Sequence, residues 1–158
     1  MSVGPVVRDE ATTEFFDGTA AGQFLLRRCP AGHFSEPPAA QCTTCGATDL
    51  HWMPASGAAT LVSWAVTWSR PAADKRQSRT VLVIGELDEG PWWWGQLAGT
   101  GAGDGEADDG GADDGRADDG VPGRSGEVRL TVGQALRIEF RRADGEHEAV
   151  PVFVLADA

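Results

Sequence analysis

The sequence has few basic residues, few cysteines and no long apolar segment. Its 158 residues contain 13 Lys and Arg against 24 Asp and Glu, which gives a net charge of −11. This balance argues against a protein that coats nucleic acid or an anionic membrane, because both surfaces attract a basic face. The three cysteines are an odd number and cannot form a closed disulfide framework. No apolar run approaches the roughly 20 residues that span a bilayer.

The chain also lacks the motifs of the common catalytic classes and of secretion. It contains no Gly-x-Ser-x-Gly elbow, no Walker loop and no dinucleotide fingerprint. Its first ten residues show no basic region followed by an apolar core, so we expect a cytoplasmic protein with reduced thiols. With 41% apolar residues, the length suits one ordinary domain, or two small ones that share a core.

Residues 100–126 form a segment of very different composition. The unit Ala-Asp-Asp-Gly occurs three times there, and the segment carries eight acids, two bases and a single Val. So few apolar side chains cannot offset the entropy of ordering the chain. The sequence therefore predicts a disordered acidic insertion, and the rest of the chain is still acidic without it.

Strand patterns dominate the second half of the chain. Residues 60–70 alternate between large apolar and smaller or polar side chains, the large ones being Val62, Trp64, Val66 and Trp68. This period of two predicts a strand that buries the face with the large side chains. Further strands are predicted at residues 80–87, with Gly85 as a bulge or bend, and at residues 92–97, 134–142 and 150–155. Five short strands with one long excursion before the fourth fit a small barrel of the OB type.

The cysteines predict a metal-binding ribbon before these strands. Cys42-Thr-Thr-Cys45 has the spacing of a zinc knuckle, and Gly46 allows the left-handed backbone that such a turn usually needs. Upstream, Cys29 and His33 supply a second pair, which completes a Cys3His set suited to structural zinc. A ribbon that has lost its metal and persists through packing is the alternative. A redox role is disfavoured because the Cys42–Cys45 pair does not follow a strand of a βαβ unit.

These patterns predict a mainly β protein in three parts. Residues 1–22 form an N-terminal helical arm, since acids in the first turns favour a helix before the Phe15-Phe16 pair and the final Gly22. Residues 23–55 form a rubredoxin-like zinc ribbon. Residues 56–158 form a five-stranded OB-fold barrel, interrupted by the acidic insertion.

The order of features resembles one known family. The carrying motifs are Gly22-x-Phe-Leu-Leu-Arg-Arg-Cys29, Pro37-Pro38, Cys42-x2-Cys45-Gly46, Ser56-Gly57, Ser63-Trp64, Glu86-Leu-Asp88-Glu89-Gly90, Val132-Gly133 and Pro151-Val-Phe. Together they resemble the acyl-CoA-associated zinc-ribbon/OB-fold family, known as domain of unknown function 35, over nearly the whole chain except the insertion. The sequence departs from the family pattern at Gly32-His33, where the family has Cys followed by Gly.

The resemblance implies a protein partner and not an independent enzyme. Members of this family associate with thiolase-like enzymes (thiolases, ketoacyl synthase relatives and sterol side-chain aldolases) or with acyl-CoA hydratases. The resemblance therefore implies a non-catalytic accessory subunit of a hetero-oligomer that supports acyl-CoA binding or complex assembly. A single-stranded nucleic-acid binder and a stand-alone thioesterase or redox enzyme are the rival hypotheses.

The barrel offers a basic loop as a candidate ligand-binding site and no credible catalytic set. Arg70, Lys75, Arg76 and Arg79 join the first two barrel strands, where an OB fold often binds ligands, and would suit the phosphates of CoA. An ordinary solvated loop is the alternative. Asp88 and Glu89 are adjacent at a strand end, which favours a turn role over a catalytic pair.

Trp92-Trp93-Trp94 is a candidate interface. Alternation places Trp93 on the strand face opposite Trp92 and Trp94, and a small barrel buries only one face. At least one indole should therefore lie outside, where Trp commonly anchors protein interfaces. The alternative for Trp93 is a cover formed by the arm or the ribbon.

Overall fold

The computed structural model describes residues 4–69, 78–99 and 129–156, and this part of the chain is mainly β. A 3-10 turn, Glu10–Thr12, leads into helix α1, Thr13–Ala20. The strands are β1 Leu25–Arg28, β2 Phe34–Ser35, β3 His51–Pro54, β4 Ala58–Trp68, β5 Arg79–Leu87, β6 Trp92–Gln96, β7 Ala135–Arg141 and β8 Val150–Leu155. The predicted acidic insertion lies outside the described residues. Within them, no helix has the length and apolar character needed to cross a bilayer.

The arm begins with a reciprocal cap and ends at a glycine. The Asp9 carboxylate accepts a hydrogen bond from the Thr12 backbone N–H at 2.9 Å, and the Thr12 hydroxyl oxygen accepts one from the Asp9 N–H at 3.0 Å. This capping box satisfies backbone donors that the first turn leaves free. Gly22, with a φ of 75°, ends the helix, and both Phe15 and Phe16 are buried. The predicted helical arm is therefore present.

The ribbon is a three-stranded antiparallel sheet in the order β2-β1-β3. Leu26 in the central strand is fully buried. Beside it, the Arg27 guanidinium lies 4.0 Å from the ring centroid of Trp52 in β3, a cation–π contact. Since these strands are only two to four residues long, their connecting turns make up most of the ribbon.

The other five strands form a nearly closed barrel in the order β6-β5-β4-β7-β8, with every neighbouring pair antiparallel. The two outer strands approach each other through a parallel bridge between Leu97 and Phe153. The Ala98 N–H also donates to the Phe153 carbonyl at 2.7 Å. These contacts bring the two outer strands of the sheet, β6 and β8, together, as in the predicted OB-fold barrel.

An aromatic cluster joins the three parts into one core. The Phe15 ring of the arm lies 5.7 Å from Phe24 at the ribbon entrance, 6.4 Å from Trp52 of the ribbon and 6.2 Å from Trp93 of the barrel, measured between centroids. Aromatic rings at such separations bury large areas and add favourable edge and stacking contacts. The arm therefore acts as a bridge between the ribbon and the barrel.

The burial predicted for residues 60–70 is wrong for most of the strand. Trp64, Val66 and Trp68 are 40%, 41% and 60% exposed. Beyond Thr60, β4 pairs only with β5 among the described residues, because its pairing with β7 stops there. Within the described residues, this part of β4 has a strand neighbour on one side only, so its large side chains lie at an edge of the sheet and stay accessible.

A bulge interrupts the alternation at the base of this strand. Leu61 pairs with Gly85 and Ser63 pairs with Ile84, which leaves Val62 as an extra residue. The bulge thus lies in β4, opposite Gly85 of β5, where the sequence predicted a bulge or bend. A Cβ on Gly85 would lie 3.0 Å from two ring atoms of Phe153, so the glycine allows the close approach of this ring.

Candidate metal centre

The Cys42 turn has the backbone geometry predicted from its sequence. The Gly46 N–H donates to the Cys42 carbonyl at 2.8 Å, and the Cys42 N–H donates to the Ala47 carbonyl at 2.8 Å. Gly46 has a φ of 72°, in the left-handed region that glycine reaches without steric cost. This tight turn places Cys42 and Cys45 on the same side.

The turn between β1 and β2 presents the other two candidate ligands. The Gly32 N–H donates to the Cys29 carbonyl at 2.9 Å, and the Cys29 N–H donates to the His33 carbonyl at 3.0 Å. Gly32 has a φ of 91°, which requires a residue without a Cβ in practice. The turn therefore carries the chain back so that His33 faces Cys29.

The four predicted metal ligands meet at one point. The ligand atoms of Cys29, His33, Cys42 and Cys45 all lie within 4.8 Å of one another. The Nδ1 atom of His33 is 3.6 Å from Cys29 Sγ and 3.9 Å from Cys42 Sγ, and Cys45 Sγ is 3.8 Å from Cys29 Sγ. Tetrahedral zinc with its usual bond lengths separates its ligand atoms by about 3.5–3.8 Å. The set is thus close enough to bind a metal, and its geometry is consistent with zinc.

The electrostatics of the thiols also suit a cation. Hydrogen bonds to the sulfur, of which the one from the Cys45 backbone N–H has the largest effect, lower the pKa of Cys42 to about 6. The Ala47 N–H lowers the pKa of Cys45, but the neighbouring Cys42, partial desolvation and Cys29 together raise it above its ordinary value. Several thiolates cannot share this small space without repulsion, which a divalent ion would relieve. Cys29 and Cys42 are buried and Cys45 is exposed.

A set of four protein ligands favours a structural role for the site. Catalytic zinc usually keeps one position for water or substrate, whereas a Cys3His set fills all four. Zinc in this place would cross-link the β1–β2 turn to the Cys42–Cys45 turn.

The barrel residues predicted to bind CoA phosphates are not brought into a described site. Arg70, Lys75 and Arg76 lie outside the described residues. Arg79 begins β5, is half-buried, and pairs across the hairpin with Trp68. These four residues stay a prediction.

Asp88 and Glu89 lie in different surroundings. Asp88 is exposed, whereas Glu89 is half-buried and its Oε1 atom accepts a hydrogen bond from the Ser56 N–H at 2.6 Å. This bond joins the ribbon exit to the β5–β6 turn. The sequence favoured a turn role but did not predict this long-range partner, because nothing local links positions so far apart.

The three consecutive tryptophans divide between two environments. The Trp93 ring packs 5.2 Å from Phe24 and against Phe15, so the arm and ribbon entrance cover it. Trp92 and Trp94 are 58% and 68% exposed.

Sequence reasoning missed Ile84, which is 36% exposed although it belongs to an apolar run. The alternation along β5 is the pattern that separates its two faces. One face carries Thr80, Leu82, Ile84 and Glu86, and the other carries Val81, Val83, Gly85 and Leu87.

Comparisons with known proteins identify the fold. No protein-family model and no curated protein matches this sequence. A solved structure described as the Ltp2-ChsH2(DUF35) aldolase aligns over 96% of this chain and 98% of its own, with 21% identity and a TM-score of 0.64. This chain has the DUF35 fold. A protein of unknown function from the DUF35 family of Sulfolobus solfataricus aligns over 93% of this chain and 86% of its own, with 10% identity and a TM-score of 0.52. Within this fold, the turn that contains Gly32 brings His33 to Cys29, Cys42 and Cys45 as the fourth candidate metal ligand.

Proposed function

We propose that this chain is a DUF35-family accessory subunit that binds a thiolase-like enzyme or an acyl-CoA hydratase. The observation that carries the proposal is the structural match, over 96% of the chain, to the structure described as the Ltp2-ChsH2(DUF35) aldolase. The shared fold extends through the arm, the ribbon and the barrel, so the likeness is not limited to one common module. A thiolase-like partner, such as a thiolase, a ketoacyl synthase relative or a sterol side-chain aldolase, is the first expectation.

The proposed role is non-catalytic. The sequence has no recognised nucleophile motif, and the Cys and His side chains that cluster within the described residues form a four-ligand metal set without an open position. The Glu89 carboxylate is engaged by the Ser56 N–H, in keeping with the turn role that the sequence favours. The subunit would then support acyl-CoA binding or the assembly of the complex, while the partner carries out the bond-making chemistry.

Structural zinc belongs to this proposal. Cys29, His33, Cys42 and Cys45 would hold the ion, and the short ribbon strands would depend on it for much of their stability. The CoA thioester is the proposed ligand of the complex. Arg70, Lys75, Arg76 and Arg79 are the proposed donors to its phosphates, because several cations are needed to bind a diphosphate and a 3′-phosphate.

A role in binding single-stranded nucleic acid is not favoured. The chain has a net charge of −11, and most of the affinity for nucleic acid comes from neutralising phosphates with Lys and Arg. The exposed indoles are equally suited to a protein interface.

The test is co-purification of the tagged chain from its native host, followed by mass spectrometry. We expect a stoichiometric thiolase-like enzyme or acyl-CoA hydratase. An unrelated acidic protein with the same tag is the control for charge-driven association. A lone chain, recovered free of such enzymes at every concentration tested, would overturn the proposal.

Binding of CoA is tested in the reconstituted complex. Replacement of Arg70, Lys75 and Arg76 by Glu reverses the charge of the proposed loop, so CoA affinity should fall by at least about tenfold. Replacement of Arg137, Arg141 and Arg142 of the barrel by Glu is the control. Equal CoA affinity of the loop variant and the wild type would contradict the phosphate-binding role and leave the partner role intact.

A further inference from the structure

The outward face of β4, β5 and β6 is defined by the strand register. A Cβ on Gly85 would meet Phe153, so Gly85 faces the barrel interior. Its neighbours Ile84 and Glu86 therefore face outward. Ile84 pairs with Trp94 and Glu86 pairs with Trp92 across the β5–β6 ladder. Both exposed indoles thus stand on the outside of the barrel.

This face carries a continuous apolar surface, which we call the outer patch. Its members are Ala65, Leu82, Ile84, Trp92 and Trp94. Ala65 pairs with Leu82, which extends the patch from β6 across β5 to β4. A shallow cavity of about 240 Å³ lies between β4, β5 and the Trp94 ring. Large exposed apolar patches on soluble proteins mark interaction sites.

Charge determines what kind of partner fits the patch. Glu86 lies directly opposite Trp92 on the same face, so a carboxylate borders the indole. Two copies of this chain would each bring a net charge of −11, and their mutual repulsion disfavours self-association through this face. A surface with apolar pockets beside Lys or Arg side chains complements both features.

We propose that the outer patch is the surface through which this chain docks on its partner enzyme. Trp92 and Trp94 would insert into apolar pockets of that enzyme, and Glu86 would face a basic side chain at their edge. The inference rests on the proposed accessory function and adds the location and chemistry of the interface. Tryptophan contributes large rigid contact areas at low conformational cost, so these two residues would carry most of the binding energy.

The test uses Trp94→Ser, with Trp68→Ser as the matched control. Trp68 is 60% exposed, close to the 68% of Trp94, but it pairs with Arg79 on the other face of the hairpin. The probe is the thiolase-like enzyme or hydratase that co-purifies with the wild-type chain, purified and titrated by calorimetry. Trp94→Ser should weaken the Kd at least about 30-fold, and Trp68→Ser less than about threefold.

Charge variants test the second half of the proposal. Glu86→Lys should weaken the affinity more than Glu86→Gln does, and the affinity of the wild type should fall with rising salt concentration. The melting temperature is the control for folding. Because the Trp94 indole is mostly exposed, Trp94→Ser should melt at the same temperature as Trp68→Ser.

The outcomes separate this inference from the proposed function. If the purified enzyme binds the wild type and Trp94→Ser equally well, the outer patch is not the interface, and the accessory role stands. If the wild type binds no such enzyme, the accessory role fails and this inference fails with it. Light scattering measures whether the wild type is a dimer. If it is, and if Trp94→Ser is a monomer, the proposal is overturned, because a second copy of this chain would then occupy the patch.

Discussion

The Nδ1 atom of His33 lies 3.6 Å from the Sγ atom of Cys29, a separation suited to neighbouring ligands of one tetrahedral zinc ion. The left-handed backbone of Gly32 turns the chain so that a histidine reaches this position from Cys29-x3-His33. His33 thus joins the three cysteines and completes a set of four candidate metal ligands.

Loss of His33 should remove zinc from the protein. The wild type should contain about one zinc per chain. Loss of a residue that only supports a ligand weakens metal affinity by roughly 10–100-fold, so His33→Ala, which removes a ligand, should weaken it by more. Zinc content by mass spectrometry and competition with a chelator measure both quantities. His51→Ala is the control, since the His51 side chain is 69% exposed and lies beside Asp49 outside the cluster. Equal zinc affinity in both variants would show that His33 is not a ligand.

Truncation of Phe15 should loosen all three parts of the molecule. Phe15 contacts rings of the ribbon and of the barrel, so Phe15→Ala should lower the free energy of unfolding by about 3–5 kcal/mol. Urea unfolding followed by circular dichroism measures the change. Val7→Ala should change the same quantity by less than about 0.5 kcal/mol, because Val7 is 77% exposed. A Phe15→Ala variant as stable as Val7→Ala would contradict the bridging role of the arm.

A methyl group at Gly85 should strain the barrel core. The Cβ of Gly85→Ala would lie 3.0 Å from the Phe153 ring and 3.3 Å from the Ala59 Cβ, closer than ordinary contact. Overpacking of this kind costs about 1–3 kcal/mol of unfolding free energy. Gly145→Ala is the control, because nothing lies within 4 Å of its Cβ position. An unchanged urea midpoint for Gly85→Ala would mean that the Phe153 ring moves aside freely.

Acid should weaken the attachment of the arm to the barrel. Arg8 donates hydrogen bonds to both Glu148 carboxylate oxygens, at 2.7 and 2.9 Å, and these bonds hold the Glu148 pKa below its ordinary value of 4.5. The unfolded chain therefore takes up this proton at a higher pH than the folded chain. The stabilisation is complete above about pH 4.5 and is lost as the pH falls through the folded pKa.

Glu148→Gln isolates this contribution. The free energy by which the wild type exceeds Glu148→Gln should be largest near neutral pH and should shrink toward acid. Urea unfolding at intervals from about pH 3 to about pH 7 measures it. Glu146→Gln, at an exposed position in the same loop, should follow the wild-type profile. A constant difference between the wild type and Glu148→Gln across this range would contradict the prediction.

Local patterns in the sequence determined the strands and the metal turns. Residues 150–155 were predicted as a strand and form β8 with the same bounds, because the three valines and Phe153 favour an extended backbone. Cys42-x2-Cys45-Gly46 specifies its own turn, since the glycine supplies the left-handed backbone. Alternation alone placed Trp93 opposite Trp92 and Trp94. Each of these features depends on residues that are close together in the chain.

Only the tertiary structure decided which faces are covered. Trp64 and Trp68 have the alternation of a buried face, but their part of β4 extends beyond the pairing with β7, so they remain exposed. Likewise, Trp93 is covered because Phe15 and Phe24 reach it from other parts of the chain. Period-two patterning shows that two faces differ, whereas burial depends on which distant segments pack against each face. That information lies in long-range contacts, and no local pattern of residues contains it.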